Sequence, residues 1–188
     1  MKIAISGAAN TGKTTLAKGL AKQTGLPLIE EGFGEIRRGP NPDKSGDFLA
    51  GCFQKIDRAK RQLEEKYQSG FISDRCTIDL FNFWSAFPIL QLRPDALEFY
   101  KNCKNHAKTY DYVVFLPWGS VAYSEIENGE TSSIRPKMNP WVNLARHSST
   151  VGLAYAWVPA EKIIMLPADI LDQAERISWV VKTISSKG

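Results

Sequence analysis

Gly7-Ala8-Ala9-Asn10-Thr11-Gly12-Lys13-Thr14 sets two glycines, a lysine and a hydroxyl at the spacing GxxxxGK[ST]. That spacing suits an anion cradle. Gly7 and Gly12 allow close backbone approach, and the N–H groups of Ala8, Ala9, Asn10 and Thr11 can then converge on phosphate oxygens. Lys13 would reach the β and γ oxygens of a triphosphate, and the Thr14 hydroxyl would ligate Mg²⁺. Thr15 supports the N-terminus of the helix that follows. Background residue frequencies give such a match by accident about once in a hundred chains of this size. ATP or GTP is the ligand implied.

A second group lies further along. Asp74-Arg75 follows the apolar run Phe71-Ile72-Ser73, so the carboxylate can face a metal ion while the guanidinium meets the charge of a transferring phosphoryl group. A surface ion pair at a strand end is the plain alternative. Asp79, one helical turn beyond Arg75, could orient that guanidinium. His106 and His147 have neither metal-ligand nor triad spacing and receive no catalytic role.

These groups need elements to position them. Lys2 to Ser6, Pro27 to Glu30, Phe71 to Ser73, Tyr112 to Leu116 and Lys162 to Leu166 read as five strands. Between them lie helical patterns over Lys13 to Gln23, a long helix capped by Asp47, a largely apolar helix over Thr77 to Phe87, and helices over Asp95 to His106 and Ile170 to Ile184. In the long helix Leu49, Cys52, Phe53, Ile56, Leu63 and Tyr67 form the expected buried stripe. Lys60, Arg61, Glu64 and Glu65 are assigned to the opposite face. In the last helix Leu171, Ala174, Ile177 and Val181 are the expected register. Alternating strands and helices imply an α/β fold with a parallel sheet covered on both faces. Residues 32–46 read as a Gly- and Pro-rich surface loop, and residues 118–160 as an insertion over the substrate.

The strand, phosphate loop and helix at the start, the acidic pair after the second strand and the Asp-Arg pair after the third resemble the P-loop nucleoside and nucleotide kinases. They are most similar to the thymidylate kinase, deoxynucleoside kinase and nicotinamide riboside kinase types and their compact bacterial and phage relatives. The resemblance implies a three-layer αβα P-loop NTPase fold, with a five-stranded parallel sheet and a lid insertion, as a single domain over 1–188. It implies that a carboxylate after the second strand is the general base or substrate ligand. Glu30 and Glu31 can each supply it; Glu31 is preferred, because only one of two adjacent residues faces the cleft. Arg37 and Arg38 would grip the acceptor in the loop over 32–46. Arg135, then Arg146, with Lys137 also available, would neutralise the ATP phosphates from the lid over 118–160. Pro167-Ala168-Asp169 would border the adenine, with Ala168 beside the base.

Composition narrows the classes. The 188 residues are 43% hydrophobic and 23% charged, which excludes a disordered chain. The net charge of +4 comes from residues 1–75, where 13 Lys/Arg meet 9 Asp/Glu; the remainder holds 11 of each. Three separated cysteines indicate neither a disulfide framework nor a zinc site. No apolar run reaches the roughly 18 residues of a membrane span, and a cytoplasmic protein is expected. The first expectation for function is transfer of a phosphoryl group from ATP to a small nucleoside or nucleotide acceptor. A base or end group of DNA is the second, and a switch ATPase without an acceptor the third. A homodimer through the helices after Asp74 and Asp95 is open.

Overall fold

In the computed structural model, residues 1–32, 45–119 and 139–187 are described. Strands β1 (Lys2–Gly7), β2 (Leu28–Ile29), β3 (Phe71–Asp74), β4 (Tyr112–Leu116) and β5 (Ile163–Met165) form one sheet in the order β2-β3-β1-β4-β5. All four strand pairings among the described residues are parallel. Helices α1 (Lys13–Thr24), α2 (Gly46–Lys66), α3 (Thr77–Ser85), α4 (Pro88–Gln91), α5 (Ala96–Ala107), α6 (Pro140–Trp157) and α7 (Gln173–Ser185) supply the outer layers.

Period-two alternation divides the core. Ile3 and Ile5 of β1 pack with Ile72, Val114 and Ile164 against Leu16 and Leu20 of α1 and Val180 and Ile184 of α7. Ala4 faces the other way, into a cluster with Phe71, Val113 and Phe115 covered by residues of α3, α5 and α6. Strands buried on both faces read as continuous apolar runs, which is why β1 and β4 were legible. Register then sets chemistry: Ile5 pairs with Asp74 and Gly7 with Leu116, so the phosphate loop and Asp74 leave the sheet at one edge. In an open parallel sheet ligands collect at this carboxyl edge.

Several local expectations change. Ser45, not Asp47, caps α2, accepting a hydrogen bond from the Phe48 N–H at 3.3 Å; Asp47 pairs instead with Arg93. A serine oxygen just outside the helix reaches an orphan N–H that a first-turn side chain cannot. Lys60 and Glu64 are buried, whereas Leu63 is 40% exposed, so the two charged residues lie on the inner face of α2. Polar partners inside the protein make this possible: the Asp74 carbonyl for Lys60, and Tyr110 and His106 for Glu64. Asp172 caps α7, leaving Leu171 outside the helix and exposed; Arg176, Val180 and Ile184 form its buried stripe. Within 118–160, Pro140–Trp157 is a regular helix whose Ala154 and Trp157 join the core.

Phe71 is fully buried and meets Tyr110 edge-on at 6.3 Å. Phe71→Ala is expected to cost about 3–5 kcal/mol, seen as a lower urea midpoint with an unchanged slope.

Candidate active site

Close packing shapes the phosphate loop. Gly7 has φ +127°, and a Cβ there would lie 2.8 Å from the Leu116 carbonyl oxygen; Gly12 has φ +88°. Gly12 also caps α1 without a side-chain hydrogen bond, and no acidic residue occupies the first turn. The helix dipole and the N–H groups of that turn are left to meet an external anion. Ala8, Ala9, Asn10 and Thr11 form the turn between these glycines. Asn10 itself has φ +60°, and the Thr11 hydroxyl donates to the Ala8 carbonyl at 3.1 Å.

Lys13 is buried and folds back to donate to the Ala8 carbonyl. Burial, then the neighbouring Arg75, lowers its pKa from the ordinary 10.5 to about 7, against the opposing pull of Asp79, Asp74 and Glu31. A bound polyphosphate would restore its charge. The Thr14 hydroxyl donates to Asp74 Oδ2 at 2.6 Å, while Thr15 lies exposed beside it in the first turn. Asp74 is itself buried, and its Oδ1 has no hydrogen-bond partner among the described residues. Burial raises its pKa, which the Thr14 hydrogen bond partly offsets. A hydroxyl joined to a carboxylate with one unsatisfied oxygen is a donor set that fits Mg²⁺.

Arg75 links the acidic residues. It adopts φ +64°, with Nη1 2.9 Å from Asp79 Oδ1 and Nε 3.3 Å from Glu31 Oε2. Burial opposes its charge, but Asp79, Glu31 and Asp74 outweigh that and raise its pKa. Asp79 also receives the Ser6 hydroxyl at 2.8 Å and the Cys76 N–H at 3.1 Å. Of the adjacent glutamates, Glu31 turns towards Arg75 and Glu30 is exposed.

Helix α6 forms a second wall, of which the sequence indicated only Arg146. The Asn143 amide accepts from the Ala9 N–H at 3.1 Å and donates to the Ala9 carbonyl at 3.2 Å, clamping the loop. Arg146 lies 5.5 Å from the Phe83 ring centre, and Arg75 lies 5.1 Å from the same ring. Thr150 accepts from the Asn82 amide at 2.6 Å. His147 is lowered in pKa by burial and then by Lys13, and its Nδ1 has no hydrogen-bond partner among the described residues. Positions 143, 146, 147 and 150 share one helical face, and this polar stripe was the available signal. Asn82, Phe83, Asn143 and Arg146 help to line a narrow cleft that also touches Gly7, Ala8, Ala9 and Arg75.

Arg176 was also missed. It is buried under the loop, donating from Nη1 to the Thr11 carbonyl at 3.1 Å and from Nε to the Ile170 carbonyl at 2.8 Å. Ala168 lies exposed in the turn after β5. Arg37, Arg38, Arg135 and Lys137 lie outside the described residues. Among the described residues no group of three or more His, Cys, Asp or Glu side chains could hold a metal ion, so a bound ion would depend on Thr14, Asp74 and the ligand's own oxygens.

The Lys13 shift has a measurable sign. Between pH 7 and 10.5 the unfolded chain holds a proton on Lys13 that the folded chain has released, so stability rises with pH across that window. Lys13→Met should flatten the rise, as followed by urea unfolding at several pH values.

The family model described as an AAA domain matches residues 2–157. A comparison with curated proteins finds no match. Among solved structures, deoxyadenosine kinase from M. mycoides with bound dCMP and dCDP is similar at a TM-score of 0.68 and 16% identity, covering 99% of this chain and 100% of that one. NadR protein in complex with NR gives a TM-score of 0.67 at 16% identity, covering 98% of this chain but only 50% of that one. A gluconokinase from Sinorhizobium meliloti 1021 gives 0.52 at 14% identity, over 98% and 91% of the two chains. The similarity therefore extends through the whole sheet and both helical layers: the fold is that of the P-loop kinases, and the chain belongs to the AAA domain family.

Proposed function

We propose that the protein is a kinase that transfers the γ-phosphoryl group of ATP to a nucleoside or nucleotide, with Mg²⁺ as cofactor. The observation that carries this reading is the convergence of Lys13, the Thr14–Asp74 pair and the Glu31–Arg75–Asp79 chain on one sheet edge. A loop built only to bind a nucleotide does not require the second acidic and basic set. The deoxyadenosine kinase structure contains dCMP and dCDP, which supports a nucleoside-type acceptor over the sugar acid named for the gluconokinase.

Each residue has a role in the proposed reaction. The α1 N-terminus and Lys13 hold the phosphates, and Thr14 and Asp74 would hold Mg²⁺. When bound, the ion offsets charge on the β- and γ-phosphates. Glu31 takes the proton from the acceptor hydroxyl as that oxygen bonds to the γ-phosphorus and the bond to the β-phosphate oxygen breaks, releasing ADP. Arg75, fixed by Asp79, stabilises charge on the phosphoryl group in flight. Arg37 and Arg38 are assigned to the acceptor side, with Arg135 and Arg146 on the phosphates and Ala168 beside the base.

The cleft beside Phe83 opens between the phosphate loop and Arg75, which supports its reading as the place where an acceptor meets the γ-phosphate. Turnover of nucleosides, nucleotides and short single-stranded DNA with ATP and Mg²⁺ tests this. A nucleoside or nucleotide should be phosphorylated with little salt dependence, whereas a DNA substrate would lose binding steeply as salt rises. Lys13→Ala should abolish transfer in a folded protein; unchanged turnover would refute the assignment. Glu31→Gln should lower kcat by about 10²–10⁴-fold while Glu30→Gln leaves it near the parent value, and the reverse order would move the base to Glu30.

A further inference from the structure

Lys60 belongs to none of the roles above, and its placement is unusual. It lies on α2, outside the β3–α3 segment that carries Asp74 and Arg75, yet it is 8% exposed and donates to the Asp74 carbonyl at 2.9 Å. Taking an ammonium group out of water is unfavourable unless partners compensate. Glu64, Tyr110 and His106 line one small cavity with Lys60. One turn on, Glu64 is buried with Oε1 accepting from the Tyr110 hydroxyl at 2.9 Å and Oε2 2.8 Å from His106 Nε2. Burial lowers the Lys60 pKa, and Glu64 is the largest influence in the opposite direction.

The acceptor of this hydrogen bond is the peptide joining Asp74 to Arg75. Arg75 holds φ +64°, a conformation that side chains other than glycine seldom adopt, so the peptide needs external restraint. Both of its polar ends are restrained: the Arg75 N–H donates to the Ile5 carbonyl of β1 at 2.9 Å, and the Asp74 carbonyl receives Lys60. The Ser73 hydroxyl holds the next carbonyl, that of Arg75, at 2.8 Å. Rotation of this peptide would move Asp74 from Thr14 and Arg75 from Glu31 and Asp79 together. The bond resisting rotation at the carbonyl end is charge-assisted, the stronger kind.

We infer that Lys60, which lines one small cavity with Glu64, Tyr110 and His106, is a positioning residue that sets the Asp74–Arg75 peptide and thereby the geometry of both site side chains. The inference rests on the reading of Asp74 and Arg75 as parts of a phosphoryl-transfer site. Lys60→Met keeps the length of the side chain and removes the donor.

Two readouts separate this role from a merely structural one. With ATP and the acceptor found by the turnover screen, Lys60→Met should lower kcat by about 10- to 100-fold, the scale of a misplaced group, while KM for ATP stays within about twofold. In nitrogen-15 spectra the Arg75 backbone and Nε signals should shift and broaden, although the remaining amide spectrum shows a folded protein. Parent-like kcat with unmoved Arg75 signals, or a rise in KM with kcat unchanged, would overturn the inference. Should Lys60→Met fail to fold, Glu64→Gln decides: a fall in kcat of about 3- to 10-fold with altered Arg75 signals supports it, and parent behaviour overturns it. If the parent protein phosphorylates none of the acceptors, the kinase reading fails on its own, and the Arg75 signals alone decide whether Lys60 sets this peptide.

Discussion

Lys13, Asp74, Arg75 and Asp79 are charged side chains buried together where β1 and β3 end, and each depends on the others to be there. Removing such groups from water carries a penalty of several kcal/mol per ion, which only opposite charge and hydrogen bonds at close range can offset. Arg75 reaches Asp79 at 2.9 Å and Glu31 at 3.3 Å, and Thr14 reaches Asp74 at 2.6 Å. The balance is incomplete at two points. Burial lowers the Lys13 pKa to about 7, and Asp74 Oδ1 has no hydrogen-bond partner among the described residues. In the proposed reaction these two points are where the phosphates of ATP and Mg²⁺ would bind.

The two faces of the sheet share the work of holding that site. Beneath the loop, α1 and α7 close an apolar layer, and Arg176 of α7 fastens the Thr11 carbonyl from below. On the other face, α3 carries Asp79 and Phe83 while α6 brings Asn143 to Ala9 and Arg146 to Phe83. The phosphate loop is therefore gripped by helices from both outer layers. Donors held in place by such contacts are a large part of what a charge-stabilising site contributes.

Much of the frame was legible in the sequence. Tyr112 to Leu116 matched β4 residue for residue, because a strand buried on both faces must be apolar throughout. The start of α1 at Lys13 followed from the glycine-rich turn, and its end from Gly25 in the left-handed conformation. Asp74-Arg75 was legible as a pair because it follows an apolar run, and Asp79 because one helical turn separates it from Arg75. Lys60 and Glu64 were misplaced for the opposite reason. Helical periodicity treats charge as a sign of solvent, and it cannot see that Asp74, Tyr110 and His106, distant in the chain, supply the missing partners. Asn143 and Arg176 escaped likewise, since their partners are backbone carbonyls and N–H groups, which leave no mark on residue type.

What the sequence alone determined is the identity of the anion cradle and the order of the five strands along the chain, because both follow from interactions among residues a few positions apart. Which carboxylate turns inward, which lysine enters the core and which helix clamps the loop were decided only by tertiary structure. Those outcomes depend on parallel register and helix placement, which bring together groups separated by up to 165 positions, as with Arg176 and Thr11. The free energy of a buried charge belongs to the partners that surround it, and the chain must fold before they exist as a set.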